Sequence, residues 1–352
     1  MVVSREDEEA VRAIAREIPQ WKGRIRNPED VVVTDIAVVS ANKILVAEFD
    51  GVKVLVKFPM ENLFSMVFDL QEQKRVNDMV SQYRGDLGLN PRVLYVGDSC
   101  RVDEFVDCRT LKQADYADPS TMDQLATQLA RLHNDKELKQ RYIDLKGSVY
   151  TIAERLRGMQ TILKRNLALR TANIDWQVPP EHQPLARRVN AAMEILADDT
   201  FFQRVLDRCF VVADPALLVF SHNDLSANNV LKLAHAVQII DFDGSNLSYR
   251  GADIGYMAKN LEMHGMSMDN AALHRFVATY IDGCAAAGIH IEASQLFDEI
   301  ARGKILALVF LMTMFAACDN WDVFHLTGFN FLATFPGFMD TIVEFANRRS
   351  AE

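Results

Sequence analysis

The sequence lacks the features that mark secreted and membrane proteins. Its five cysteines are odd in number, scattered, and without the paired spacing of zinc ligands, which favours free thiols in a reducing compartment. The first ten residues are charged and contain no apolar segment of a secretory signal. The longest apolar run, residues 305–318, is too short to span a bilayer and predicts a buried core helix. These absences predict a cytoplasmic protein without stable membrane insertion.

Positive charge is also in short supply. Lysine and arginine number 38 against 48 acidic residues, which leaves a formal net charge of −10. Because such an excess repels the phosphates of nucleic acids, a nucleic-acid partner is not expected. The same excess suits a cationic ligand, although solubility alone would also explain it. With 352 residues, the chain is long enough for two lobes with separate cores.

Residues that carry chemistry are concentrated between Phe220 and Tyr256. Asp224 and Asn229 lie on one loop, and Asp241 follows the next apolar run. This order is typical of a kinase catalytic loop followed by a metal-binding aspartate. A polar turn between strands would explain one such pair, but not both halves in this order. The pattern therefore predicts phosphoryl transfer from ATP, in which Asp224 deprotonates the acceptor hydroxyl while Asn229 and Asp241 hold Mg²⁺.

The same segment resembles the choline/ethanolamine kinases, within the broader group that includes aminoglycoside phosphotransferases. His-Asn-Asp at 222–224, with Asn229, is similar to the catalytic loop of that family, and residues 240–243 are similar to its metal segment. Residues 249–255, Tyr-Arg-Gly-Ala-Asp-Ile-Gly, are similar to the signature that separates the family from the wider group. Shortly after it the family has an acidic and an aromatic residue, whereas this chain has Lys-Asn-Leu at 259–261.

The resemblance implies a two-lobed α+β fold of the protein-kinase-like class. Residues 1–106 would form a small β-rich lobe that covers ATP, and residues 107–352 a larger, mainly helical lobe. The resemblance also implies ATP and Mg²⁺ as cofactors and a small cationic alcohol, choline or ethanolamine, as the acceptor, which is the first step of phospholipid head-group synthesis. It allows a homodimer. His222 is expected to support the catalytic loop rather than to act as a base.

The front of the chain is rich in β-branched runs between residues 31 and 58, and Asp50-Gly51 is a hairpin signal among them. Lys57 lies on the strand after this hairpin, where kinases place the lysine that binds the α- and β-phosphates. An exposed lysine on an edge strand is the alternative. A helix predicted over 69–80 carries Glu72, which we expect to pair with Lys57 unless it is a solvated surface residue.

Glycine is missing from the loop that is expected to cover the phosphates. Residues 38–43 read Val-Val-Ser-Ala-Asn-Lys, although glycines normally let backbone N–H groups approach the phosphates in such loops. Ser40 and Asn42 are therefore expected to donate side-chain hydrogen bonds instead. The connector between the lobes is predicted to follow the sheet, with adenine bound by backbone groups from Glu104 to Val106.

The residues that bind the acceptor are less clearly marked. A choline site needs an aromatic box, but the corresponding helix, residues 304–318, contains no tryptophan. Tyr256 and Trp321 are the aromatic candidates. Asp243 and Asp253 could bind a primary ammonium, which favours ethanolamine or another small amino alcohol over choline. For Asp253 a structural role, holding a loop N–H group, is an equal alternative.

Two further alternatives stay open for the whole chain. A related kinase could act on another small hydroxyl compound, such as an aminoglycoside or an amino acid. The glycine-free loop also allows a nucleotide-binding scaffold that performs no catalysis. These alternatives differ in whether ATP is turned over, and with which acceptor.

Overall fold

A computed structural model describes most of the chain. The described residues are 3–36, 42–59, 69–173, 183–210, 214–318 and 331–348. The strands are β1 (Val32–Asp35), β2 (Asn42–Phe49), β3 (Val52–Pro59), β4 (Val93–Val96), β5 (Arg101–Glu104), β6 (Arg109–Thr110), β7 (Val219–Ser221), β8 (Val230–Lys232), β9 (Val237–Ile239) and β10 (Asn246–Ser248). The helices are α1 (Arg5–Ile14), α2 (Leu70–Asp86), α3 (Pro119–Asn134), α4 (Lys136–Lys146), α5 (Ile152–Asn173), α6 (Gln183–Ala197), α7 (Asp199–Cys209), α8 (Gly251–Met263), α9 (Asn270–Ala286), α10 (Ala293–Ala317) and α11 (Phe331–Asn347).

A five-stranded antiparallel sheet, in the order β1-β2-β3-β5-β4, forms the N-terminal part. β2 and β3 are the predicted hairpin. Asp50 and Gly51 have φ angles of 51° and 75°, which is the left-handed conformation that a tight two-residue turn requires. Val54 and Val56 are buried in one cluster with Val11 of α1, because alternate residues of a strand face the same side of the sheet.

Helix α2 lies between β3 and β4 in the chain and packs against both the sheet and the C-terminal part. It begins at Asp69, whose carboxylate accepts hydrogen bonds from two N–H groups of the first turn and so caps the helix. Its buried face includes Val76 and Val80 and packs against the turn Phe242–Gly244. The helix predicted over 69–80 is therefore present and extends to Asp86.

The C-terminal part is mainly helical and also contains two small sheets, β10-β7 and β6-β8-β9. The short strands β7 and β9 are buried on both faces or nearly so, and the segments that follow them carry Asp224 and Asp241. The architecture is the predicted α+β class, with a β-sheet N-terminal region and a mostly helical C-terminal region. The division at residue 106 stays a prediction.

Helices α8 and α10 are in close contact through glycines. A Cβ atom on Gly255 would lie 2.6 Å from backbone atoms of Gly303 and Ile300, and one on Gly251 would lie 2.5 Å from the backbone of Glu299. Real Cβ atoms do not come so close, so only glycine allows the two backbones to approach to this distance. This contact fixes the position of α8, which carries two of the predicted site residues.

The apolar run at 305–318 belongs to α10, which is longer than the run itself. The helix has 25 residues and is long and apolar enough to cross a membrane by length and composition, so the prediction that the segment is too short was wrong. Of its most apolar window, 67% is buried inside the structure, and residues such as Leu308 and Met312 belong to a core cluster. The prediction of a buried core helix agrees with this packing.

Candidate active site

The loop after β7 carries Asp224 with both carboxylate oxygens engaged. Tyr256 Oη donates to Asp224 Oδ1 at 2.7 Å, and Asn229 Nδ2 donates to Oδ2 at 2.9 Å. Burial raises the pKa of Asp224, and nearby Asp241 contributes in the same direction, whereas the hydrogen bonds from Tyr256 and Asn229 oppose the shift. The arrangement gives a carboxylate of fixed orientation and increased basicity, which suits a general base.

His222 supports this loop from inside. Its Nδ1 accepts from the backbone N–H of Asp224 at 3.2 Å, and its Nε2 donates to the carbonyl of Ile240 at 2.8 Å. Because a backbone N–H can only donate and a carbonyl can only accept, the ring is neutral with its proton on Nε2. His222 therefore links the catalytic loop to the end of β9, as expected, and neither nitrogen is left for an acceptor hydroxyl.

Asp253 does not reach a surface that a substrate could touch. It is fully buried on α8, and its oxygens accept from the backbone N–H groups of His222 and Asn223 at 2.8 and 2.7 Å and from His133 Nε2 at 2.9 Å. Burial acts to raise the pKa of Asp253, but the hydrogen bond from His133 and that from the His222 backbone lower it overall. Of the two roles that were equally expected for Asp253, these contacts support the structural one, because both of its oxygens accept hydrogen bonds from backbone N–H groups of the catalytic loop.

The metal segment follows β9. Asp241 has a φ of 67°, a left-handed conformation that is uncommon for residues other than glycine and often occurs at functional sites. Asp243 lies two residues further, and its pKa is raised to about 7 by burial and by the charge of Asp241. The two carboxylates therefore repel each other where a cation would stabilise both.

This donor set fits Mg²⁺. The oxygen groups of Asn229, Asp241 and Asp243 are the hard ligands that the ion prefers. Among the described residues, no three His, Cys, Asp or Glu side chains form a complete metal site. A set of two carboxylates and an amide suits an ion that usually keeps water and phosphate ligands.

Asn77 of α2 contacts this segment directly, and the sequence reasoning missed it. It is 5% exposed, and its Nδ2 donates to Asp243 Oδ1 at 2.7 Å and to Asp241 Oδ1 at 3.3 Å. Its Oδ1 accepts from the backbone N–H of Phe242 at 3.3 Å and from Arg101 at 3.1 Å. An amide on the apolar face of α2 is the signal that could have revealed it, because buried amides need partners.

Lys57 lies on β3 with its side chain largely buried and its Nζ 3.5 Å from Asp103 Oδ2. Asp103 also accepts two hydrogen bonds from Arg101, at 2.9 and 3.1 Å. Arg101 in turn reaches Asp78 of α2 at 3.3 Å. Lys57 is thus no exposed edge lysine, and it belongs to a buried network of charges that extends to α2.

The predicted pairing of Lys57 with Glu72 was wrong in this structure. Glu72 lies in the first turn of α2 and pairs with Lys146 of α4. The carboxylate next to Lys57 is that of Asp103, from the neighbouring strand β5. The physical reason is position along the helix, because the first turn of α2 faces α4 while its later turns face the sheet and the metal segment.

A cleft of about 560 Å³ lies between the sheet and the metal segment, within the usual volume of a small-ligand site. Its walls include Lys57, Asn229 and Asp241, together with Glu104 and Val106 on the side of the predicted connector. Apolar residues of the lining, Ile44, Leu55, Leu231 and Ile240, provide surfaces that could hold a flat ring.

The loop expected to cover the phosphates is only partly described. Ser40 lies outside the described residues. Asn42 begins β2, lines the cleft, and donates from Nδ2 to Asp243 Oδ2 at 3.2 Å. Asp243, predicted to contact substrate, thus accepts hydrogen bonds from two amides, those of Asn42 and Asn77.

On the acceptor side, Tyr256 is the predicted aromatic candidate that the structure describes. Trp321 lies outside the described residues, and the hydroxyl of Tyr256 is directed at Asp224. Arg155 stands 5.7 Å from the ring centre of Phe310, and Lys146 stands 4.0 Å from that of Tyr150. These two rings therefore already contact cations of the chain.

A smaller cavity of about 180 Å³ borders the metal segment on this side. It is lined by Asp243 and Ser245, by the ion pair of Glu72 with Lys146, and by Arg155. The side chains around it carry charges of both signs, so their chemistry does not select one class of acceptor.

Comparison with known proteins adds a family to this geometry. A family model described as choline/ethanolamine kinase matches residues 40–264. The mouse choline/ethanolamine kinase is 26% identical over 172 residues, which is 47% of this chain and 38% of the mouse protein. The match thus spans well under half the length of this curated relative.

Solved structures share the fold at low sequence identity. The Plasmodium vivax ethanolamine kinase has a TM-score of 0.71 at 14% identity and covers 97% of this chain and 89% of that one. A streptomycin–ATP ternary complex of APH(2")-IIa has a TM-score of 0.60 at 12% identity, with 98% and 99% covered. These likenesses support the two-lobed fold.

Proposed function

The chain belongs to the choline/ethanolamine kinase family, and on that premise we propose that it transfers the γ-phosphate of ATP to the hydroxyl of choline or ethanolamine. A primary amino alcohol is favoured over choline, because residues 304–318 contain no tryptophan that could contribute to an aromatic box. The product would be a phosphorylated head group for phospholipid synthesis. A homodimer, which the family allows, stays a prediction.

The observation that carries the proposal is the contact between Asp224 and Asn229 at 2.9 Å. It joins the proposed base to a proposed metal ligand, and Asn229 itself lines the large cleft with Asp241 and Lys57. A hydroxyl that donates to Asp224 would therefore lie beside the end of a nucleotide held in that cleft.

Each residue has a defined part in this proposal. Asp224 accepts the hydroxyl proton while Tyr256 and Asn229 hold its orientation. Lys57 binds the α- and β-phosphates, and backbone groups between Glu104 and Val106 bind adenine. Asn229 and Asp241, together with Asp243, would hold Mg²⁺, which would neutralise the charge of the phosphates when bound.

The test is ATP turnover with choline, ethanolamine and an aminoglycoside measured in parallel. Preferred turnover of ethanolamine or choline supports the proposal. Preferred turnover of the aminoglycoside would assign another acceptor, and nucleotide binding without turnover of any acceptor would support a non-catalytic scaffold.

Asp224→Asn tests the proposed base. We expect kcat to fall by about 10²–10⁴-fold, because the amide cannot take up the hydroxyl proton. Nucleotide affinity, measured by calorimetry, should be unchanged, since Asp224 does not line the nucleotide cleft. Asp86→Asn is the matched control on the exposed surface of α2, and wild-type kcat in Asp224→Asn would exclude Asp224 as the base.

A further inference from the structure

Asn77 occupies a position where a cationic residue would neutralise the negative charge of the metal segment and an anionic residue would increase it. Both hydrogens of its Nδ2 point to carboxylates, those of Asp241 and Asp243. Its Oδ1 contacts only donors, namely Phe242 N, Arg101 Nη1 and Ser81 Oγ. The amide orientation is fixed by these partners, since the reverse orientation would place oxygen against oxygen.

A neutral donor has a particular consequence at this position. A lysine or arginine would form an ion pair with the two aspartates and compete with a bound cation. A carboxylate would add repulsion to a pair that already repels. The amide holds both carboxylates through hydrogen bonds and leaves their net charge available to a cation.

Arg101 holds the oxygen of the amide, while its ion pairs are made with carboxylates outside the metal segment. Its guanidinium forms two hydrogen bonds with Asp103 and an ion pair with Asp78, and only its remaining contact goes to Asn77 Oδ1. Asp103 also lies next to Lys57. A continuous series of contacts thus joins the proposed phosphate-binding lysine to the proposed metal ligands.

From these contacts we infer that Asn77 is a positioning residue for the divalent cation, holding Asp241 and Asp243 in the arrangement that binds Mg²⁺ with nucleotide. The inference rests on the proposed function, because it concerns the same metal site. Helix α2 thus contributes a neutral hydrogen-bond donor to the metal segment, whereas the carboxylate beside Lys57 is contributed by β5.

The test measures binding rather than turnover. The thermal midpoint of each protein is followed with fixed ADP while Mg²⁺ is raised, and again with Mg²⁺ alone. In Asn77→Ala we expect the Mg²⁺ concentration that gives half of the stabilisation to rise about tenfold or more, as is typical when a residue supporting metal ligands is lost. Stabilisation by ADP without Mg²⁺ should stay at the wild-type value.

Asn77→Asp covers the case in which the alanine variant does not fold. It keeps the size of the side chain but places a third carboxylate against the first two. We expect lower stability without metal and a larger stabilisation by Mg²⁺ than in the wild type. Equal responses to Mg²⁺ in Asn77→Asp and in the wild type would mean that position 77 does not act on the metal segment.

Asn166→Ala is the matched control. Asn166 lies on α5, is 2% exposed, and donates to the carbonyl of Ala317 at 2.6 Å. Neither residue lines the nucleotide cleft. The Asn166→Ala variant should be less stable than the wild type, but the Mg²⁺ concentration that gives half of the stabilisation should be unchanged. An unchanged midpoint in Asn77→Ala as well, or wild-type behaviour in Asn77→Asp, would overturn the inference while leaving the proposed function intact. If Mg²⁺ did not stabilise the wild-type protein in the presence of ADP, both the inference about Asn77 and the proposed function would be overturned.

Discussion

Two regions border the nucleotide cleft, and they hold their carboxylates in different ways. In the catalytic segment, Phe220–Tyr256, Asp224 and Asp253 accept hydrogen bonds from neutral side chains and backbone N–H groups. In the sheet, Asp103 is held by the cations Arg101 and Lys57. The carboxylates of the first region keep a negative charge that can bind a cation or accept a proton. In the second region the carboxylate is neutralised by neighbouring cationic side chains and serves as a rigid support.

The largest effect on this comparison is expected for Asp253→Asn. The amide nitrogen would replace one of the two accepting oxygens, so at least one of the buried donors of His222, Asn223 and His133 would be left without an acceptor. We expect the free energy of unfolding to fall by about 3 kcal/mol, with a lower kcat because the catalytic loop loses its support. Chemical denaturation and steady-state kinetics measure the two effects.

The control for that variant is Asp298→Asn. Asp298 forms an ion pair with Arg302, and its side chain is 61% exposed. Its effect on stability should stay below about 1 kcal/mol. If Asp253→Asn kept wild-type stability and instead raised the acceptor KM, Asp253 would be a substrate ligand after all, and the two regions would differ less than the contacts indicate.

The same comparison shows what could be predicted from sequence. The motif residues Asp224, Asn229 and Asp241 lie within one short span whose order along the chain determines their proximity, so a linear pattern indicates the site. The hairpin at Asp50-Gly51 is likewise a local signal. Local signals of this kind are readable because they need no knowledge of which elements pack together.

The contacts that were missed or wrong join elements distant in sequence. Glu72 was assigned by its place after Lys57, but it lies in the first turn of α2 and pairs with Lys146, whereas Asn77 of a later turn contacts the metal segment. Asp103 reaches Lys57 only because β5 pairs with β3. Such pairings depend on helix orientation and strand order, which the residue pattern of one sequence does not determine.

A smaller effect is expected for Lys57→Met. The loss of one charge-assisted hydrogen bond, about 1.5–3 kcal/mol, should raise the ATP KM at least tenfold. The fold should tolerate the change, because Asp103 keeps both hydrogen bonds from Arg101. ATP-dependent kinetics and thermal melting are the measurements.

Lys53→Met is the control on the same strand, since Lys53 is 48% exposed and stands 3.6 Å from Glu48 at the surface. An unchanged ATP KM is expected there. If Lys57→Met left the ATP KM unchanged too, the charge network of the sheet would be purely structural, and the phosphates would have to be bound by other groups.

The smallest effect is expected for Glu72→Gln, and its smallness is informative. The variant removes an ion pair with Lys146 in which the Glu72 side chain is 42% exposed, so stability should change by less than about 1 kcal/mol. Since Asp103 is the carboxylate next to Lys57, the ATP KM should stay at the wild-type value. A rise in ATP KM matching that of Lys57→Met would mean that nucleotide binding brings Glu72 to the lysine. In that case both regions of the cleft would rearrange together, and the charge compensation within the sheet would hold only without nucleotide.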